Sequence, residues 1–224
     1  MPEKQQGFKD PNSLTKWTKW FLYAQVAIGV VAIISSMLEY QLLSDFKNEL
    51  YSSQELAVAA GEANDFRQSL IGIIQLGIFI ISGVLVLKWI YRANYNAHQL
   101  GAKDMDFTPS WSIGWYFIPI ANLWKPYQAM KEIWKTSSNP QSWESQSVSS
   151  LLPWWWFFWI VSNMFGNASF RLTMRAEEIN ELMTANVVTQ LSDAFSIPLG
   201  LILIAIISKV RQMQTEHVKP EQSI

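Results

Sequence analysis

The chain has no cysteine and only 2 histidines among 224 residues. Without thiolates, disulfides and Cys-ligated zinc or iron–sulfur centres are excluded, although the absence assigns no compartment. His98 follows an apolar block and His217 sits in a polar tail, so a haem held by paired histidines on facing helices is not expected. No metal or other cofactor is expected. Charge is scarce as well: 16% of residues are charged, against about 25% in a soluble domain. The formal net charge of -1 gives no footprint for a nucleic-acid partner. Nucleophile elbows, H-E-x-x-H pairs and phosphate-binding loops are all missing, so nothing in the sequence points to an enzyme.

What is abundant is apolar and aromatic. Half of the chain is hydrophobic and 12 residues are tryptophan. The apolar residues come in blocks, and a helix needs roughly 20 of them to cross a hydrocarbon core. Four blocks qualify, at about 20–43, 70–90, 151–170 and 187–208. The first is too long for a cleaved leader and reads as a span. Residues 20–212 are expected to form one integral membrane domain between a segment at 1–19 and a tail at 213–224. Gln54 to Glu62 and Glu177 to Met183 are expected to extend the outer ends as an acidic helical cap.

Counting Lys and Arg sets the orientation. With residues 1–19 in the cytosol, Lys4, Lys9, Lys16, Lys19, Lys88, Arg92, Lys103, Lys125, Lys131, Lys135, Lys209, Arg211 and Lys219 fall inside, 13 of the 17 basic residues. Lys47, Arg67, Arg171 and Arg175 fall outside. The positive-inside rule then places both termini in the cytosol.

A fifth block, 111–134, is interrupted by Pro119 and Pro126. Ser110 is expected to cap a helix from Trp111, and Pro119 limits it to about two turns. Asn122 offers a second cap, and beyond Pro126 the residues Tyr127, Met130, Ile133 and Trp134 share a face, opposite Gln128, Lys131, Glu132 and Lys135. Residues 109–135 therefore read either as an amphipathic pair in the cytosolic headgroup region or as a re-entrant hairpin. The Ser-rich stretch 136–150 reads as a mobile cytosolic linker.

The run KWIYRANYNAHQLG followed by FTPSWSIGWYFIPIANLWKPYQAMKEIWKTS resembles the bacterial membrane family catalogued as domain of unknown function 4328. The likeness rests on Trp89, Arg92, Asn94, Gly101, Pro109, Trp111, Gly114, Trp115, Pro119, Asn122, Pro126, Glu132 and Trp134. It implies a bacterial multi-span protein of the inner membrane and supplies no reaction.

Two sets of candidate residues emerge. On the cytosolic side, Trp89, Arg92, Asn94, Trp111, Trp115, Asn122, Lys125, Lys131 and Trp134 offer cations and indole faces for an anionic lipid headgroup or a partner protein. An ordinary positive-inside flank with aromatic anchors accounts for many of the same residues. Within the spans, Asp193 is the principal ionisable group, with Ser196 and the break at Pro198 beside it and Gln75, Asn163 and Asn167 as nearby amides. Asp193 either helps hold a cation or proton, or pairs with Arg171, or simply reaches headgroup water. The amides either line a cavity or bond between helices. Small residues at Ala32 and Ser36, Ser162 and Gly166, Ser196 and Gly200, and at Gly72, Gly77 and Gly83, suggest close helix approaches.

The expected fold is an all-α membrane protein with four transmembrane helices plus a Pro-broken helix pair on the cytosolic face. The expected function is a non-enzymatic module binding membrane lipid or a partner protein; the alternative is a small oligomeric transporter or channel built on Asp193. Every tryptophan maps to the cytosolic side or the inner leaflet.

Overall fold

The computed structural model describes residues 7–218, so Lys4, Lys219 and the ends of both terminal segments lie outside the described residues. Among the described residues there is no strand. The helices are α1 (Asn12–Lys47), α2 (Gln54–Gln99), α3 (Pro109–Gly114), α4 (Lys125–Ser138), α5 (Leu151–Thr173) and α6 (Ile179–Glu216).

Three of them, α1, α2 and α6, are long and apolar enough to cross a membrane. Each is longer than the expected span. At about 1.5 Å per residue the 46 residues of α2 measure about 69 Å, more than twice the hydrocarbon thickness. The expected helical extensions fall on the first turns of α2 and α6, continuous with the apolar stretches that follow, but Glu177 and Glu178 lie ahead of α6. The fourth expected span corresponds to α5, whose 23 residues give about 34 Å. Four tryptophans, Pro153, Ser162, Asn163 and Asn167 dilute its apolar run, and it is not among the three.

Local chemistry sets the helix ends. Asp10 accepts the Asn12 amide at 2.9 Å ahead of α1. At the end of α2, Gly101 takes φ 94°, its amide reaches the His98 carbonyl and Ala102 reaches Ala97, a Schellman close that only glycine enters without strain. α3 begins at Pro109, two residues before the expected start, because Thr108 and not Ser110 caps it by accepting the Trp111 amide. Two 3-10 turns, Trp115–Phe117 and Ala121–Leu123, flank Ile120, whose φ of 69° reverses the chain after Pro119. Asn122 caps nothing: it lies inside the second turn, and α4 starts after Trp124 with Pro126 in its first turn. Phe117, Ile120, Leu123 and Trp124 around this reversal are all exposed.

The chain divides into two compact units, one formed by Met1–Leu22, Ile81–Trp156 and Ile202–Ile224, the other by Tyr23–Ile80 and Phe157–Leu201. In the first, Met130, Ile133 and Trp134 of α4, Trp89 and Ile90 of α2, Trp155 of α5 and Ile206, Ile207 and Val210 of α6 are all buried. Gln214 donates to the Ala93 carbonyl at 2.8 Å and to the Ser137 hydroxyl at 3.0 Å, joining α6 to α2 and α4. The Ser-rich stretch is not free chain. α4 continues through Ser138, Thr136 and Ser137 are buried, and the Trp143 indole donates to the Lys103 carbonyl at 2.9 Å.

The second unit holds Phe158, Phe165 and Phe195 as an aromatic cluster. A side chain on Gly166 would meet the Ser192 hydroxyl at 3.4 Å, which bears out a close approach of α5 to α6. Gly72, Gly77 and Gly83 face open space instead, so they mark no close helix contact.

Candidate functional site

The structure separates the nine candidates for lipid or partner binding. Trp89, Asn94 and Trp134 are buried and serve packing. The Trp89 indole donates to the Thr15 hydroxyl at 3.2 Å, and the Asn94 amide donates to the Phe107 carbonyl at 3.0 Å. None of the three offers a face to a ligand: the expected stacking role of Trp89 is replaced by a tie between α2 and α1. Asn122 places its side-chain oxygen where it is buried, without a partner among the described residues, and the Tyr116 hydroxyl is in the same state. Burial pushes the Tyr116 hydroxyl pKa upward.

Arg92 does not join Lys125 and Lys131. It lines a groove of about 610 Å³ with Lys9 and Lys88, whose wall is Leu14, Val84, Leu87, Tyr91, Tyr95 and Ile113. Arg92 donates to the Asp10 carbonyl at 3.3 Å, and Lys9 stands 4.6 Å above the Tyr95 ring. Asn96 fixes the entering chain from both sides, accepting the Lys9 amide at 3.1 Å and donating to its carbonyl at 2.9 Å. The groove is thus an apolar trough with three cations along it.

Lys125, Lys131, Trp111 and Trp115 line a second cleft of about 760 Å³, with Asp106, Thr108, Gln128, Glu132, Lys135 and Trp143. Lys125, Gln128, Lys131, Glu132 and Lys135 form one stripe of α4 because their spacings of three and four return to the same face. Glu132 lies on the polar face of α4, yet it is only 5% exposed. Its carboxylate accepts the Asp106 amide at 3.0 Å and the Phe107 amide at 3.3 Å, holding the loop before α3 against α4. Burial pushes its pKa from 4.5 to about 7, and those two amides offset part of that push.

The intramembrane candidates also divide. Asp193 accepts from the Gln75 amide at 3.4 Å, and Ser196 donates to the Asp193 carbonyl at 2.8 Å. Arg171 is exposed, and among the described residues it forms no ion pair with Asp193. Asn163 and Asn167 are exposed and donate to carbonyls one turn back on their own helix, Trp159 at 2.7 Å and Asn163 at 2.8 Å. Among the described residues neither side chain bonds to another helix.

A larger polar network in the second unit centres on Glu39, whose place near the end of the first apolar block suggests an interfacial carboxylate; the structure gives it partners on two other helices instead. Glu39 accepts from Asn64 at 3.3 Å, Gln68 at 3.0 Å and Asn186 at 2.7 Å, so one carboxylate joins α1, α2 and α6. Arg67 donates to the Ser35 hydroxyl at 3.0 Å, and Gln190 donates to Asn186. The signal was present as four-residue spacing: Asn64 with Gln68, and Asn186 with Gln190.

These features define an all-helical protein with three helices long and apolar enough to cross a membrane and two cation-lined depressions in one unit. Residues 52–212 match the family described as Domain of unknown function (DUF4328), and the chain belongs to that family. No curated protein and no solved structure matches it.

Proposed function

We propose that this chain is a non-enzymatic module of the bacterial inner membrane that binds the headgroup of an anionic phospholipid at the Arg92 groove. In this reading α1, α2, α5 and α6 cross the bilayer, both termini lie in the cytosol, and α3 and α4 rest at the headgroup level. The exposed Phe117, Ile120, Leu123 and Trp124 then dip into the inner leaflet at the Pro119 reversal. The 13 to 4 division of basic residues supports the orientation.

The observation that carries the proposal is the groove itself. Lys9, Lys88 and Arg92 stand beside Leu14, Val84 and Leu87, which pairs phosphate-binding cations with an acyl-chain wall. Arg92 adds the planar fork that matches phosphate oxygens. The expected result in native mass spectrometry of detergent-extracted protein is a retained anionic lipid that is lost in Arg92→Ala. Wild-type protein that carries no lipid, or a protein partner in its place, overturns the assignment.

A second reading keeps the Asp193–Gln75 pair as part of a transport path, because a carboxylate inside a span is costly unless it is paired or wet. Ion flux in liposomes that disappears in Asp193→Asn and survives Arg92→Ala favours that reading.

A further inference from the structure

The cleft beside α4 differs in kind from the Arg92 groove. The groove has a wall of aliphatic side chains and two tyrosines; the cleft is lined by indoles and polar side chains. Trp111 and Trp115 stand on one side with ring centroids 4.8 Å apart, and Trp111 is 50% exposed. Trp143 comes from the loop after α4, with its indole oriented by the bond to the Lys103 carbonyl. At about 760 Å³ the space falls within the range of small-molecule pockets, about 300–1,000 Å³.

The floor is cationic over a length suited to an extended anion. From Lys125 to Lys135, ten residues of helix cover about 15 Å. The two end lysines are engaged: Lys125 lies 5.5 Å from the Trp115 centroid and 5.6 Å from that of Phe107, and Lys135 donates to the Glu144 carbonyl at 2.9 Å. Lys131 between them is exposed and has no hydrogen bond or ion pair among the described residues. Glu132, the carboxylate on the same stripe, is turned onto two backbone amides. Asp106 is the remaining acidic group at the cleft, set against three lysines.

We propose that this cleft binds a soluble phosphate ester carrying a flat ring, of the size of a nucleotide, with the ring on the indoles of Trp111 and Trp143 and the phosphate on Lys131. An aromatic ring on indole supplies stacking that does not depend on the details of the ring. The ammonium of Lys131 supplies a charge-assisted bond that no protein group already occupies. The site is separate from the Arg92 groove and does not rest on lipid binding there.

The test uses the full chain in nanodiscs of zwitterionic lipid and isothermal titration with ATP, AMP and inorganic phosphate. ATP and AMP are expected to bind, inorganic phosphate much more weakly. Lys131→Ala and Trp111→Ala should each weaken ATP roughly tenfold, while Arg92→Ala leaves it unchanged. Both tested side chains are exposed, so neither substitution endangers the fold. Absence of nucleotide heat up to about 1 mM, or affinities indifferent to both substitutions, overturns the proposal. So does loss of ATP binding when anionic lipid is added to the nanodisc, since the phosphate on Lys131 would then be a lipid headgroup.

Discussion

Glu132 shows how one residue's surroundings redefine it. Its helical register puts it beside Lys131 and Lys135, but the loop at Asp106 and Phe107 closes over it and supplies two amide donors. Removing a carboxylate from water favours its neutral form, and the neighbouring Asp106 adds to that push. The sign follows from linkage. With the folded pKa raised from 4.5 to about 7, the contribution to stability is full below 4.5 and is lost as pH rises through about 7. In detergent, the wild-type melting temperature should therefore fall between pH 5 and 8 more than that of Glu132→Gln, which cannot ionise. Equal slopes for the two proteins would assign the pH response to other groups. Trp89 and Asn94 make the same point from the other side. Both carry ligand chemistry in their side chains, and both are buried with one bond to a distant residue, Trp89 to Thr15 and the Asn94 amide nitrogen to the Phe107 carbonyl, while the Asn94 side-chain oxygen has no partner among the described residues.

Among the elements, the existence of the helices was legible and their roles less so. The apolar blocks located α1, α2 and α6, and the prolines located the break between α3 and α4. Proline acts locally, on its own φ and on the preceding residue, so its effect can be read without a fold. Helix ends were less evenly legible: the expected extension from Gln54 is the start of α2, but α3 is capped by Thr108 and begins at Pro109, ahead of the expected Ser110 cap. The polar positions within helices sort by neighbour. Glu39 serves three donors from two other helices, and Asn163 serves only its own. Replacing Glu39 with alanine leaves those donors without their acceptor and should cost about 2 kcal/mol or more. Asn163→Ala should stay within about 0.5 kcal/mol. Unfolding in mixed detergent measures both, and similar losses would show that the network does not hold α1, α2 and α6 together.

At the scale of the whole molecule, tryptophan is distributed unevenly. All but Trp159 of the 12 belong to the unit containing α3 and α4, and Trp159 lies three residues beyond its edge. An aromatic belt at both interfaces would have split them. The same unit holds the Arg92 groove and the cleft beside α4, each lined by lysine or arginine side chains. The proposed orientation predicts that a fluorescent reporter fused after Gln212 lights in the cytosol and that alkaline phosphatase inserted at 48–53 is active outside. A reporter after Gln212 found outside would reverse the assignment of both depressions to the cytosolic side.

The sequence by itself determined the membrane-like helical class, the family, the Pro-broken segment and the concentration of indole and positive charge, because each depends on composition or on spacing along the chain. The tertiary structure alone decided which of those side chains remain open. Burial is a property of pairs of elements brought together from far apart in sequence. Thr15 removed Trp89 from use, Phe107 removed Asn94, and the groove at Lys9 and Lys88 drew Arg92 away from Lys125 and Lys131. A single set of candidates thereby became two depressions of different lining, one of aliphatic side chains with two tyrosines and one of indoles, each with its own cations.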